Sequence, residues 1–312
     1  MTQQTYGIRF LNHVEIDKYQ WDDCVVNSQF PIVYAKSWYL DIVSPEWQAL
    51  VFGNYEAVMP LTQRKKLGIY YLFQPDFCQQ LGIFYRSGQK RDNLEEIFLQ
   101  KAKKHFSFIE INLNSTNLDI EKKVVTTNTN YELKLNKSYD ELYKGFSDNV
   151  RRNIKKAKKN ELVVHSSEQS FAELIKLFRE NKSKEVGNFS TSYYETLKNI
   201  HLSANQNNAQ SYLISAFNPK KEIIAGALFL VSDNRAIFLF SSNSKAGKET
   251  GAMHFIIDSF IKKYANPDLL LDFEGSNNAT LGRFYKSFGA TVSYYPRLRI
   301  NNLPPVVKWL KR

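Results

Sequence analysis

Twice along its 312 residues the chain passes through the same order of hydrophobic patterns: a hairpin, an amphipathic helix and a short apolar strand. In the first half, WQALVFG and YEAVMPLT flank a turn at Gly53-Asn54, which is a hairpin signal. IYYLFQ and LGIFY follow as short strands. Leu94, Ile97, Phe98 and Ala102 mark a helical stripe, and FSFIEINL returns as a strand. The second half repeats the order at greater length. Ser166 and Gln169 have capping-box spacing, Phe171, Leu174, Ile175 and Phe178 follow at i, i+3, i+4 and i+7, and a further helix is expected over 190–205. KEIIAGALFLVS and RAIFLFSS flank Asp233-Asn234 as a second hairpin. Met253, Ile256, Ile257, Phe260, Ile261 and Tyr264 define one face of a helix stopped by Pro267, and DLLLDF reads as a strand buried on both faces. A short helix over 278–287 and a closing strand, ATVSYYPRLRI, come last. The pattern predicts a duplicated α/β (α+β) unit. It sets a first domain at 1–135 and a second at 136–299, with 300–312 returning to the first.

Other classes find little support. Apolar residues make up 43% of the chain, but no run approaches the roughly 18 that a spanning helix needs. The opening stretch MTQQTYGIRFLNHVEID has no basic segment leading into an apolar one, so a cytoplasmic location is expected. Cys24 and Cys78 cannot form a disulfide framework and lack metal-ligand spacing. The five histidines stand in unrelated contexts, and neither a nucleophile elbow nor a P-loop is present. No metal and no tightly bound cofactor are expected.

The net charge of +11 suits phosphate-bearing partners such as nucleotides, RNA or anionic lipid, or serves solubility alone. Its clearest cluster is Arg151, Arg152, Lys155, Lys156, Lys158 and Lys159, six cations in nine residues. They surround a stripe formed by Phe146, Val150, Ile154 and Ala157 at helical spacing. Such a helix can grip phosphate, most effectively through Arg151 and Arg152, or it can simply present a solvated face. Asp272 and Glu274 lie two apart on an expected strand and would share one face. Glu274, at the strand's end, could orient or deprotonate an amine; for Asp272 the preferred reading is a hydrogen-bonded carboxylate capping the next turn.

Four segments together resemble one known family. NNATLGRFYKSFGA (277–290) is similar to the late motif of the GNAT acyltransferase superfamily. FSDNVRRNIKKAKK (146–159) resembles the basic helix that opens the second domain of FemAB-type proteins, and LDFEGS (271–276) their buried strand and acidic turn. Ala35-Lys36-Ser37-Trp38-Tyr39 resembles their early Trp-containing segment. The resemblance implies two GNAT-like domains, each a twisted, mostly antiparallel sheet flanked by helices. It also implies transfer of an acyl or aminoacyl group to an amine, with acyl-CoA or aminoacyl-tRNA as co-substrate and a small molecule or peptidoglycan precursor as acceptor.

In that frame Tyr285 or Lys286 would assist the leaving group and Glu274 would serve the amine. Phe284 and Phe288 also allow α-helical core packing around Tyr285. Lys248, Gly251 and Ala252 stand where the superfamily cradles the CoA pyrophosphate, although Lys248 and Met253 depart from the usual motif. Arg151 and Arg152 add donor contacts, including with a tRNA. Lys36, Trp38, Gln79 and Gln80 are the acceptor candidates, the last two beside Pro75 in an aromatic-rich loop that equally suits packing. A catalytically inactive GNAT-fold protein that binds a nucleotide-sugar, RNA or a protein is the alternative. The sequence leaves oligomeric state open.

Overall fold

The computed structural model describes residues 7–305 apart from 89–92, 118–124, 167–169, 188 and 276, and leaves aside the side chains of 125 and 182–186. Gln169 of the capping-box spacing, Ser276 and the tail beyond 305 therefore lie outside the described residues. Contacts divide the chain into two units, one comprising the residues up to Asn128 with those from Tyr294 onward, the other Thr129–Ser293.

The first unit carries β1 (Ile8–Leu11), α1 (Lys18–Val26), α2 (Ser37–Val43), β2 (Gln48–Phe52), β3 (Ala57–Leu61), β4 (Gln63–Lys66), β5 (Ile69–Phe73), β6 (Phe84–Tyr85), α3 (Leu94–His105) and β7 (Phe108–Asn112). β2 and β3 form the hairpin expected around Gly53, with Phe52 opposite Ala57. The LGIFY strand shrinks to Phe84–Tyr85, because side chains replace a neighbouring strand there. Asn114 Nδ2 donates to the Leu81 and Ile83 carbonyls, and Asn117 Oδ1 accepts from the Ile83 amide at 2.8 Å. The α3 stripe is buried at Phe98, Leu99 and Ala102, whereas Ile97 faces solvent.

The second unit takes most of β8 (Val125–Lys134), followed by α4 (Tyr139–Gly145), α5 (Asp148–Lys159), β9 (Val163–Ser166), α6 (Phe171–Val186) and α7 (Thr191–Ala204). Then come β10 (Gln210–Phe217), β11 (Ile223–Ser232), β12 (Arg235–Asn243), α8 (Lys245–Thr250), α9 (Ala252–Lys263), β13 (Leu270–Asp272) and α10 (Ala279–Lys286). Its strands lie in the order β8-β13-β12-β11-β10-β9. β14 (Thr291–Asn301) returns the chain to the first unit, where Arg297–Asn301 pair antiparallel with β7. β5–β7 and β12–β13 run parallel, and the other pairs within each unit run antiparallel.

Each unit has its own core. In the first, Phe98 and Leu99 of α3 pack with Leu50, Leu72, Ile109 and the β14 residues Leu298 and Ile300. In the second, Val150, Ile154 and Ala157 of α5 meet Ile256, Ile257 and Phe260 of α9 over β11. Phe146, expected as the first member of the α5 stripe, is buried but caps α4 instead; Ser147 breaks the helix there and its Oγ accepts from the Val150 amide. No helix of the described residues is long and apolar enough to cross a membrane.

Candidate functional site

β12 and β13 pair over three residues only, from Arg235↔Leu270 to Ile237↔Asp272, while β12 continues to Asn243. Because the strands are parallel, this ladder opens at their C-terminal ends. The opening has local causes. Asp272, fully buried, accepts the Glu274 amide at 2.8 Å and Asn130 Nδ2 at 3.0 Å on Oδ1. Its Oδ2 accepts from Arg235 at 2.5 Å, and the same guanidinium reaches Glu132 at 2.7 Å. Burial raises the Asp272 carboxyl above its ordinary range while Arg235 pulls the other way.

Asp272 thus holds the turn in which Glu274 takes φ 53° and Gly275 φ 24°. Glycine is needed at 275, since a Cβ would meet the Thr129 carbonyl oxygen at 2.2 Å. Asp272 and Glu274 consequently do not share a strand face: β13 ends at Asp272, and Glu274 belongs to the turn. On the opposite wall β12 carries a bulge. Leu228 faces Phe240 and Phe229 faces Phe238, so Leu239 is the extra residue, and the bulge re-aims the backbone groups around it.

The helix beyond the turn is set by two asparagines. Asn277 Oδ1 accepts the Thr129 amide at 3.0 Å, and Asn278 Oδ1 caps α10 by accepting the Thr280 and Leu281 amides. α10 buries Tyr285, whose ring stacks on Phe273 with centroids 4.9 Å apart. Burial, and then the Glu274 carboxylate, raise the Tyr285 phenol above its ordinary range, so it holds its proton at neutral pH. Lys286 is exposed, with Nζ 5.8 Å from the centre of the Tyr131 ring.

That Tyr131 ring also lies 5.8 Å from the ring of Tyr285, so one β8 aromatic neighbours both candidates. The sequence reading missed Tyr131. Its only trace there is Gly282 in a helix interior: a Cβ at 282 would sit 2.2 Å from the Tyr131 hydroxyl. His254 of α9 was missed as well. It lies against Phe284 and Phe288, its Nε2 is buried without a hydrogen-bond partner among the described residues, and burial lowers its pKa to about 4.

The donor candidates are distributed differently. Gly251 joins α8 to α9 at φ 79°, and a Cβ there would meet the Asn153 carbonyl oxygen at 2.5 Å. Gly251 and Ala252 are buried, with the backbone of α5 against this junction, while Lys248 is exposed. Arg151 is engaged by Asp148 at 2.8 Å and the Lys144 carbonyl at 3.1 Å. Arg152, Lys155, Lys156 and Lys159 line the solvent side of α5.

In the first unit, Lys36 is buried just ahead of α2, and Asp22 accepts the Ser37 amide at 2.7 Å and hydroxyl at 2.6 Å. The Tyr39 hydroxyl donates to the Phe77 carbonyl, which ties α2 to the loop bearing Gln79 and Gln80. Trp38 Nε1 and Gln80 Oε1 are buried without partners among the described residues. Cys24 and Cys78 are buried free thiols, and burial pushes Cys24 up to about 12. None of the expected site residues lines the cavity of about 300 Å³ bounded by Ser166, His201, Gln210, Ser211 and Tyr212.

No family model and no curated protein matches the sequence. Solved structures do match. FemX superposes with a TM-score of 0.66 at 14% identity, over 95% of this chain and 99% of FemX. The C-terminal domain of an Agrobacterium fabrum protein described as a lysylphosphatidylglycerol synthetase gives 0.57 at 10% identity, over 94% of each chain. A tandem GNAT protein from the clavulanic acid biosynthesis pathway gives 0.56 at 8% identity, over 95% of this chain and 99% of that one. With its opened β12–β13 ladder, its capped α10 and these likenesses along nearly its whole length, the chain has the FemAB-like tandem GNAT fold.

Proposed function

We propose that this protein transfers an acyl or aminoacyl group from a donor ester or thioester directly to an acceptor amine. The observation that carries the reading is Tyr285, a buried, protonated phenol beside Glu274, at the place where the β12–β13 ladder opens. In the proposed reaction the amine nitrogen attacks the donor carbonyl, and the amide bond forms as the bond to the leaving oxygen or sulfur breaks. Glu274 receives the ammonium proton, Tyr285 gives its own to the leaving atom, and the Glu274 proton restores the phenol. Backbone N–H groups at the Leu239 bulge would stabilise the oxyanion.

Two features favour an oxygen ester on a polyanion, such as an aminoacyl-tRNA, over a CoA thioester. A phenol with a raised pKa protonates a strongly basic ribose alkoxide more readily than a thiolate. At the α8–α9 junction, where a CoA pyrophosphate would be cradled, the Asn153 carbonyl of α5 lies close against Gly251, whereas α5 offers Arg152, Lys155, Lys156 and Lys159 to solvent. Trp38 and Gln80, with Lys36 and Gln79, are the groups proposed to meet the acceptor.

The test is single-turnover transfer from aminoacyl-tRNA and from acetyl-CoA to amine acceptors, among them peptidoglycan precursors. Tyr285→Phe should lower kcat by about 10²–10³-fold with little change in KM. Undiminished turnover in Tyr285→Phe would remove the assignment. Binding of donor or acceptor without any transfer would move the protein to the class of GNAT-fold binding proteins.

A further inference from the structure

The β4–β5 hairpin joins the core through Leu72, but its apex has a role that neither core nor candidate site explains. Gln63–Lys66 pair with Ile69–Leu72, and the turn between them consists of Leu67 and Gly68 alone. Both turn residues have positive φ, 50° and 79°, the type I′ geometry that favours Asn-Gly or Asp-Gly. A branched apolar side chain is among the least suited to that first position, where it is strained. Leu67 is nevertheless 72% exposed, so folding gains little burial in return.

Its surroundings are amphiphilic. Tyr70 is 48% exposed, Ile69 is half-buried, and Arg64, Lys65 and Lys66 are exposed, with the Arg64 guanidinium 3.9 Å from the centre of the Phe73 ring. No carboxylate stands between Glu56 and Asp76 to offset them. Lys65 Nζ lies 4.9 Å from the Tyr70 ring centre, which keeps cation and aromatic together at the apex.

The geometry points to an anionic bilayer surface as the partner of this hairpin, with Leu67 inserted among acyl chains, Tyr70 at the headgroup level, and Arg64, Lys65 and Lys66 on the lipid phosphates. Tyrosine at the interface and lysine heads drawn toward anionic headgroups are what such a surface selects. An RNA backbone would satisfy the three cations equally well. It gives no reason for an exposed aliphatic apex, since bases stack on aromatic faces and not on leucine. The hairpin is therefore a peripheral anchor, independent of the transfer chemistry.

Vesicle co-sedimentation of the full chain tests this, with phosphatidylglycerol–phosphatidylcholine vesicles against phosphatidylcholine alone. Binding is expected only to the anionic vesicles. Lys65→Gln/Lys66→Gln should weaken it about 25-fold, from roughly fivefold per cation near a charged surface. Leu67→Asn should weaken it at least about tenfold, the effect of losing one inserted leucine, while raising the melting temperature because asparagine suits the turn. A loss of binding in that variant therefore cannot be ascribed to unfolding. Anionic-vesicle binding that is absent in the native chain, or unchanged in Leu67→Asn, overturns the proposal. So does a Lys65→Gln/Lys66→Gln variant that loses affinity for total tRNA and keeps it for vesicles, which would make the hairpin an RNA contact.

Discussion

His254 is a base placed where water does not reach its Nε2, with Phe284 and Phe288 against its ring. Its folded pKa of about 4 is below the ordinary 6.5, so the folded state binds this proton more weakly than the unfolded chain does. The stability tied to the neutral imidazole is complete above about pH 6.5 and is lost as pH falls toward 4. The loss amounts to at most about 3 kcal/mol. Denaturant melts of the native chain and of His254→Leu, compared at pH 7 and pH 4.5, should show a difference that shifts in favour of the variant at the lower pH; a constant difference would show that His254 does not titrate there. Tyr285 and Glu274 were legible in the sequence because they stand inside a motif of recognisable spacing. Tyr131 and His254 were not, because each reaches the same region from an element distant in sequence. Only Gly282, a helix-weakening residue where a hydroxyl must pass, recorded one of those approaches.

Among elements, those with turn residues at their ends or a full helical period were readable in advance: the β2–β3 and β11–β12 hairpins, α5, α9 and α10. α1, α2 and α4 were not foreseen. In α1, buried Trp21, Cys24 and Val25 alternate with Tyr19 and Val26, both exposed, so its apolar stripe is blurred. The bulge at Leu239 is hidden in an apolar run, and the opening of β12 from β13 depends on a pairing that no residue pattern encodes. That opening is held by Arg235 between Asp272 and Glu132. Arg235→Met should destabilise the fold by about 3–5 kcal/mol, because it leaves Asp272 buried with its charge uncompensated. Adding Asp272→Asn should recover part of the loss in urea denaturation. No recovery would mean that the three groups do not act as one network.

On the scale of the molecule, the first unit is discontinuous: its core takes Leu298 and Ile300 from a strand that follows the entire second unit in the chain. Leu298→Ala should cost about 2–5 kcal/mol. Hydrogen exchange should show the loss in β2, β5 and β7 and leave the amides of β11 and α9 protected to their former degree; uniform acceleration would show that the two units unfold together. The same discontinuity orders events on the ribosome. β7 emerges with its β14 partner still unmade, and the whole of Thr129–Ser293 must be translated before that partner exists. At about 5–20 residues per second the wait is on the order of 10–30 s. For that time the nascent first unit presents an unpaired strand edge and an uncovered apolar face, which makes it a client for holding chaperones, while the second unit, continuous in sequence, can fold as soon as it has left the exit tunnel.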